Sequence, residues 1–162
     1  MMQKGDFVVH KSGKVCQIDA AETMDLTGSP KMYFVLIPVR DKTERIYVPA
    51  ENAEILLRPA ISREEAMELI KSIQSIEPLQ IQNERQREQE YRSAFYTQNY
   101  VNMVRIAKDL HRRKEHRIAI GKTLPSRDAQ MMTMVEKAFE EGMSVALGVA
   151  PEEVKDIIVK SM

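Results

Sequence analysis

Apolar positions along this chain change their spacing once. Up to about residue 58 they come in short runs separated by turn formers, and beyond Pro59 they recur every three to four residues. The first part reads as strands. Phe7-Val8-Val9-His10 leads into a Lys11-Ser12-Gly13 turn, and Val15-Cys16-Gln17-Ile18 and then residues 20–24 follow. Leu26-Thr27-Gly28-Ser29-Pro30 is dense in turn residues. Residues 32–39 form the longest apolar run. Residues 40–44 make a polar loop into Arg45-Ile46-Tyr47-Val48, where Pro49 ends the ladder because it has no N–H to donate. Residues 55–57 add one short strand. Five short strands with tight turns in so small a span predict a small antiparallel barrel.

The second part reads as helices. Ser62 and Glu65 have the spacing of a capping box, and Ala66, Leu69, Ile70 and Ile73 form the apolar face that follows, ended by Pro78. Residues 80–95 are strongly polar and predict a helix that is mostly exposed or docks along a narrow seam. Residues 100–117, YVNMVRIAKDLHRRKEHR, form an amphipathic helix with Met103, Ile106, Ala107 and Leu110 on one face. Gly121 marks a break and Pro125 suits a first helical turn. Met131, Met134, Val135 and Ala138 then mark a helix reaching about Leu147. Gly148 ends it, and Pro151 opens a last helix through Ile157 and Val159. The expected architecture is α+β in two domains, a small antiparallel barrel over residues 1–58 and a compact all-α domain of about five helices over residues 59–162.

Composition adds three constraints. The chain has no Trp, few aromatics and eleven Met, so its core relies on aliphatic and thioether packing. A single cysteine, Cys16, excludes an internal disulfide and a thiolate metal cluster, and its apolar surroundings mark it as a core residue. No positively charged start precedes an apolar run, and no apolar stretch approaches the ~20 residues a spanning helix needs, so a soluble cytoplasmic protein is expected.

Charge is neutral overall, with 24 basic and 24 acidic residues, yet unevenly placed. Residues 60–82 carry net −2, residues 83–122 net +5, and residues 123–162 net −3. Within residues 105–122 seven basic side chains face only Asp109 and Glu115. Two readings stay open for this stretch: a solvated helix face, or a stripe that meets a nucleic-acid backbone.

Enzyme and cofactor chemistry find little support. His111 and His116 are five residues apart, about 140° around a helix, so they do not share a face as zinc ligands must. Gly121-Lys122-Thr123 mimics the end of a phosphate-binding loop, but the required first glycine falls on His116. No catalytic constellation, metal site or cofactor is expected.

Three stretches together resemble the CarD/CdnL family of bacterial transcription regulators. Lys4-Gly5-Asp6-Phe7-Val8-Val9 is similar to that family's opening strand, Val48-Pro49-Ala50-Glu51-Asn52-Ala53-Glu54 to its barrel-closing segment, and Lys108-Asp109-Leu110-His111-Arg112-Arg113 to its Arg-Asp-Leu-aromatic-Arg-Arg helix. The resemblance implies a Tudor-like barrel that binds the RNA polymerase β subunit, and a helical domain that contacts upstream promoter DNA and changes the lifetime of the open complex, without catalysis. On this chain it implies a polymerase-facing surface at Met24, Leu26, Arg45, Ile46, Tyr47 and Val48, where Tyr47 reads either as an interface anchor or as barrel packing. It implies DNA contacts at Arg85, Arg87, Arg92, Arg112, Arg113 and Lys114.

The family's wedge Trp falls on Glu84, and its basic positions fall on Gln86, Gln89 and Ala129. An acid cannot wedge between bases beside phosphates. Either Tyr91, Phe95 or Tyr96 substitutes for it, or the chain does not wedge. The DNA contact is therefore expected to be weakened or altered. The alternative is a protein-binding adaptor on polymerase whose helices bind no DNA.

Overall fold

The computed structural model of the chain describes residues 2–161. It divides into two compact units, Met1–Ile61 and Ser62–Met162.

The first unit is one antiparallel sheet. β1 (Phe7–His10), β2 (Val15–Met24), β3 (Lys31–Pro38), β4 (Ile46–Pro49) and β5 (Leu57–Pro59) take the order β4-β3-β2-β1-β5. β4 and β5 are the two edges and do not pair with each other, so the sheet is open and the expected closed barrel is not formed. Gly13 turns β1 into β2 with φ +90°, and its N–H returns to the His10 carbonyl at 2.8 Å. β2 is a single strand of ten residues, not two runs. Its register slips between Ile18 and Ala20, a bulge that moves Ala20 onto the face shared with Val35.

Val8, Cys16, Ile18, Leu36, Val48, Ala53 and Leu57 form the core of one sheet face, with Met2, Phe34, Ile46 and Leu56 packed against it. The strand expected at residues 55–57 is displaced. Ala53–Leu56 closes as one helical turn, α1, with the Leu57 N–H bonded to the Ala53 carbonyl. Pairing with β1 then begins at Leu57, opposite His10. Ile55 is exposed, so the apolar run there does not alternate into the core.

The second unit holds α2 (Arg63–Ser72), α3 (Arg87–Tyr96), α4 (Tyr100–Ala119), α5 (Ser126–Leu147) and α6 (Pro151–Ser161). The capping box is formed in full: Ser62 Oγ accepts from the Glu65 N–H, and the Glu65 carboxylate accepts from the Ser62 N–H, both at 3.1 Å. Asn99 caps α4 by accepting from the Val101 and Asn102 N–H groups at 2.9 and 3.2 Å. Gly148 ends α5 in the left-handed region at φ +69°.

α3 starts later than the polar pattern predicts. The Gln82 and Asn83 N–H groups are both taken at 2.9 Å by the Glu90 carboxylate, which leaves residues 80–83 outside the helix. A short 3-10 turn, Glu84–Gln86, then leads into α3. On α5 the buried face includes Met131, Met132, Val135, Ala138, Phe139 and Met143, whereas Met134 is exposed at its margin. Tyr100 packs edge-on to Phe139, and its hydroxyl lies so close to Gly142 that a Cβ there would sit 2.0 Å from it.

Candidate functional site

Two surfaces carry the chemistry. The first is the free edge of β4. β4 pairs with β3 on one side only, with Val48 opposite Phe34 and Ile46 opposite Leu36. Alternate residues of such an edge point their N–H and C=O outward, which is the geometry that accepts a partner strand. Val48 is 1% exposed and Ile46 packs on the core, so these two offer main chain to a partner more than side chain. Tyr47 lies on the opposite face, beside its cross-strand neighbour Val35, and is 44% exposed. Arg45 is exposed and folds back on its own loop, donating to the Lys42 and Glu44 carbonyls at 2.8 and 3.0 Å. Met24 and Leu26 are not on this edge. Met24 ends β2 opposite Lys31, so β3 lies between it and β4, and Leu26 stands exposed in the turn beyond.

The second surface is an ion-pair network where the 3-10 turn, α3, α4 and α5 meet. Its centre is Asp109, fully buried on α4. Asp109 accepts from the Tyr91 hydroxyl at 2.5 Å, from Arg113 Nε at 2.9 Å and from Arg112. Burial pushes this carboxyl up, but the bonds from Tyr91, Arg113 and Arg112 outweigh it and hold it below the usual range. The Tyr91 phenol is driven up by burial and by its donation to Asp109. A second buried acid, Asp128 on α5, binds Arg87 in a fork, with Nε and Nη2 at 3.3 and 2.8 Å.

Glu84 sits between these two arginines. Arg113 Nη1 and Nη2 reach its two oxygens at 3.0 and 2.8 Å, and Arg87 Nη1 reaches Oε2 at 3.0 Å. These bonds, Arg113 first, pull the Glu84 carboxyl down to about 2. Arg113 is raised in turn, chiefly by Glu84, and Arg87 chiefly by Asp128.

The six expected DNA residues thus fall into two groups. Arg87, Arg112 and Arg113 are gathered into the network. Arg92 pairs instead with Glu88 at 3.0 Å, and Glu88 also binds Arg127 at 2.8 Å. Arg85 and Lys114 are exposed and take no part in these pairs. Lys108, counted in the basic stripe, is structural: its Nζ donates to the Ile76 carbonyl at 2.6 Å and to the Ile73 carbonyl. Of the three aromatic candidates for a wedge, Tyr91 and Phe95 are core residues, and exposed Tyr96 lies 6.1 Å from Phe95 between ring centres.

Sequence reasoning missed the acids. Asp109 stands three and four residues before Arg112 and Arg113, a helical spacing that makes such pairs legible. Asp128 lies 41 residues from Arg87, and no local signal connects them. Among the described residues no three His, Cys, Asp or Glu converge as a metal site, and no helix is long and apolar enough to cross a membrane.

An open antiparallel sheet with a free edge strand, followed by a helical unit bearing an arginine–carboxylate cluster, defines a two-unit α+β protein built around surfaces. Residues 2–61 match the family model of the CarD-like/TRCF RID domain, a match that spans the first unit. No curated protein matches the chain in a sequence comparison.

Proposed function

We propose that this chain is a non-enzymatic transcription regulator. Its first unit, a Tudor-like fold, docks on the RNA polymerase β subunit, and its second unit contacts upstream promoter DNA without reading sequence. The observation that carries the reading is the family match over residues 2–61, which coincides with the sheet that has β4 as a free edge. Docking uses main-chain pairing along Arg45, Ile46, Tyr47 and Val48, with Tyr47 as the side-chain anchor, and Met24 and Leu26 are reached only by a partner that also extends past β3. Phosphate contacts come from Arg85, Arg87, Arg92, Arg112, Arg113 and Lys114, which position the protein without specifying a base. The outcome is a changed lifetime of the open complex.

A second reading is an adaptor that binds polymerase and no DNA. One observation favours it: Arg87, Arg92, Arg112 and Arg113 are all engaged by acids of the same chain. Exposed Arg85 and Lys114 separate the two, since reversing them disturbs no buried partner. The test compares promoter open-complex lifetime and β-lobe capture for wild type, Arg85→Glu/Lys114→Glu and Tyr47→Asp. The DNA reading expects the double variant to change lifetime with capture intact, and Tyr47→Asp to lose capture. Unchanged lifetime with normal capture makes the chain an adaptor, and normal capture by Tyr47→Asp removes the β4 docking claim.

A further inference from the structure

The arginine pair beside Glu84 has the geometry of an oxyanion site. Arg113 is aimed by buried Asp109 through its Nε, and Arg87 by buried Asp128 through Nε and Nη2. Each arginine keeps that fixed partner and turns its remaining N–H groups toward one point. Arg113 Nη1 and Arg87 Nη1 both lie 3.0 Å from the same oxygen, Glu84 Oε2. Arg113 Nη2 adds a third donor at 2.8 Å to Oε1. Three donors held by buried acids and converging on one carboxylate match what a phosphate oxygen edge requires.

The occupant differs from the two acids behind it. Asp109 and Asp128 are buried and structural. Glu84 is 62% exposed, on a turn of three residues ahead of α3. An exposed ion pair is screened and contributes little, so this carboxylate is displaceable where the other two are not. Beside the pair opens a cleft of about 450 Å³ whose wall adds Arg112 and Arg117, so an entering anion meets further positive charge.

We propose that Arg87 and Arg113 form a phosphate-binding site in which Glu84 is the resident internal ligand, and that a phosphate group binds by displacing it. The proposal deepens the DNA reading and rests on it for the identity of the natural ligand. The same chemistry serves a DNA backbone phosphate and a free polyphosphate. Glu84 then sets how readily this surface takes an anion, and the chain's grip on nucleic acid is held down from within.

The test uses the full chain with two probes, pyrophosphate and a short promoter duplex. Pyrophosphate binding is read from the arginine Nε–H resonances of Arg87 and Arg113, and duplex binding from anisotropy over a salt series. Glu84→Gln, with wild-type circular dichroism, is expected to bind both probes roughly two- to five-fold more tightly, the size an exposed pair contributes. The log–log salt slope on the duplex should steepen by about 1 for the phosphate captured. Glu84→Asp keeps the charge but shortens the reach, and should also gain; it carries the test if Glu84→Gln does not fold. Glu115→Gln is the control, because it removes one exposed acid from α4 outside the pair.

A gain for pyrophosphate but not for the duplex upholds the site and sinks the DNA reading. No gain, or a gain no larger than that of Glu115→Gln, overturns the proposal. Wild-type duplex binding with a normal salt slope then leaves the DNA reading standing without it.

Discussion

The buried carboxylate of Asp109 makes the sharpest stability prediction. Its two oxygens receive three donors: Arg112 on Oδ1, and Tyr91 and Arg113 on Oδ2. Asp109→Ala removes both acceptor oxygens, strands the buried Tyr91 hydroxyl and leaves half-buried Arg113 without its Asp109 partner. Breaking a buried pair from one side costs about 3–5 kcal/mol. Asp109→Asn keeps one carbonyl oxygen. The amide nitrogen is best placed toward Arg112, which is 61% exposed and free to turn to water. Tyr91 and Arg113 then keep an acceptor but lose its charge, a loss of about 1.5–3 kcal/mol. Tyr91→Phe removes one donor from an acid that keeps two, and falls at the low end, about 1.5 kcal/mol.

The assay is urea unfolding followed by circular dichroism at 222 nm. Nearly all helical residues lie in the second unit, so this signal follows that unit and avoids treating the chain as one transition. The expected order of loss is Asp109→Ala, then Asp109→Asn, then Tyr91→Phe. Asp109→Ala within about 1 kcal/mol of wild type, or milder than Asp109→Asn, would refute the view that this acid is the counter-ion the bundle is built on.

Two further predictions follow from the same unit. Gly142→Ala places a methyl against the Tyr100 ring; overpacking of this kind costs about 1–3 kcal/mol, more than the ~1 kcal/mol gained in helix propensity, so the urea midpoint should fall, and a rise would show that Tyr100 swings away freely. Acid should loosen the helical unit: Asp109 and Glu84 have folded values below their unfolded ones, so their contribution is complete above the unfolded values and is lost as pH falls through the folded ones, which for Glu84 is about 2. The Glu84 share is reduced by its exposure, so Asp109→Asn should flatten most of that acid limb, and an unchanged limb would point to other carboxylates.

Much of the architecture was legible because its signals are local. The Ser62–Glu65 box, the Gly148 stop and the change of period near Pro59 each depend on residues within a few positions of one another. The misses are equally physical. Glu90 reaches back to residues 82 and 83 and delays α3, and Ala53–Leu56 coils because the Leu57 N–H finds the Ala53 carbonyl. The sheet stays open because β4 and β5 end on opposite edges, a matter of strand order that alternation along a strand does not encode.

By itself, the sequence determined the two-part α+β organisation, the core faces of α2 and α4, and the concentration of positive charge over residues 83–122. It also carried the likeness of its first 60 or so residues to the CarD-like/TRCF RID domain. What only the tertiary structure decided is what that charge does. Arg87 meets Asp128 across 41 positions and Arg113 meets Glu84 across 29, contacts that exist only once the turn, α3, α4 and α5 are packed. Electrostatic pairing acts through distance in space, and counting charges along a chain cannot tell an open basic face from one in which Arg87 and Arg113 are held by buried acids and share an exposed glutamate.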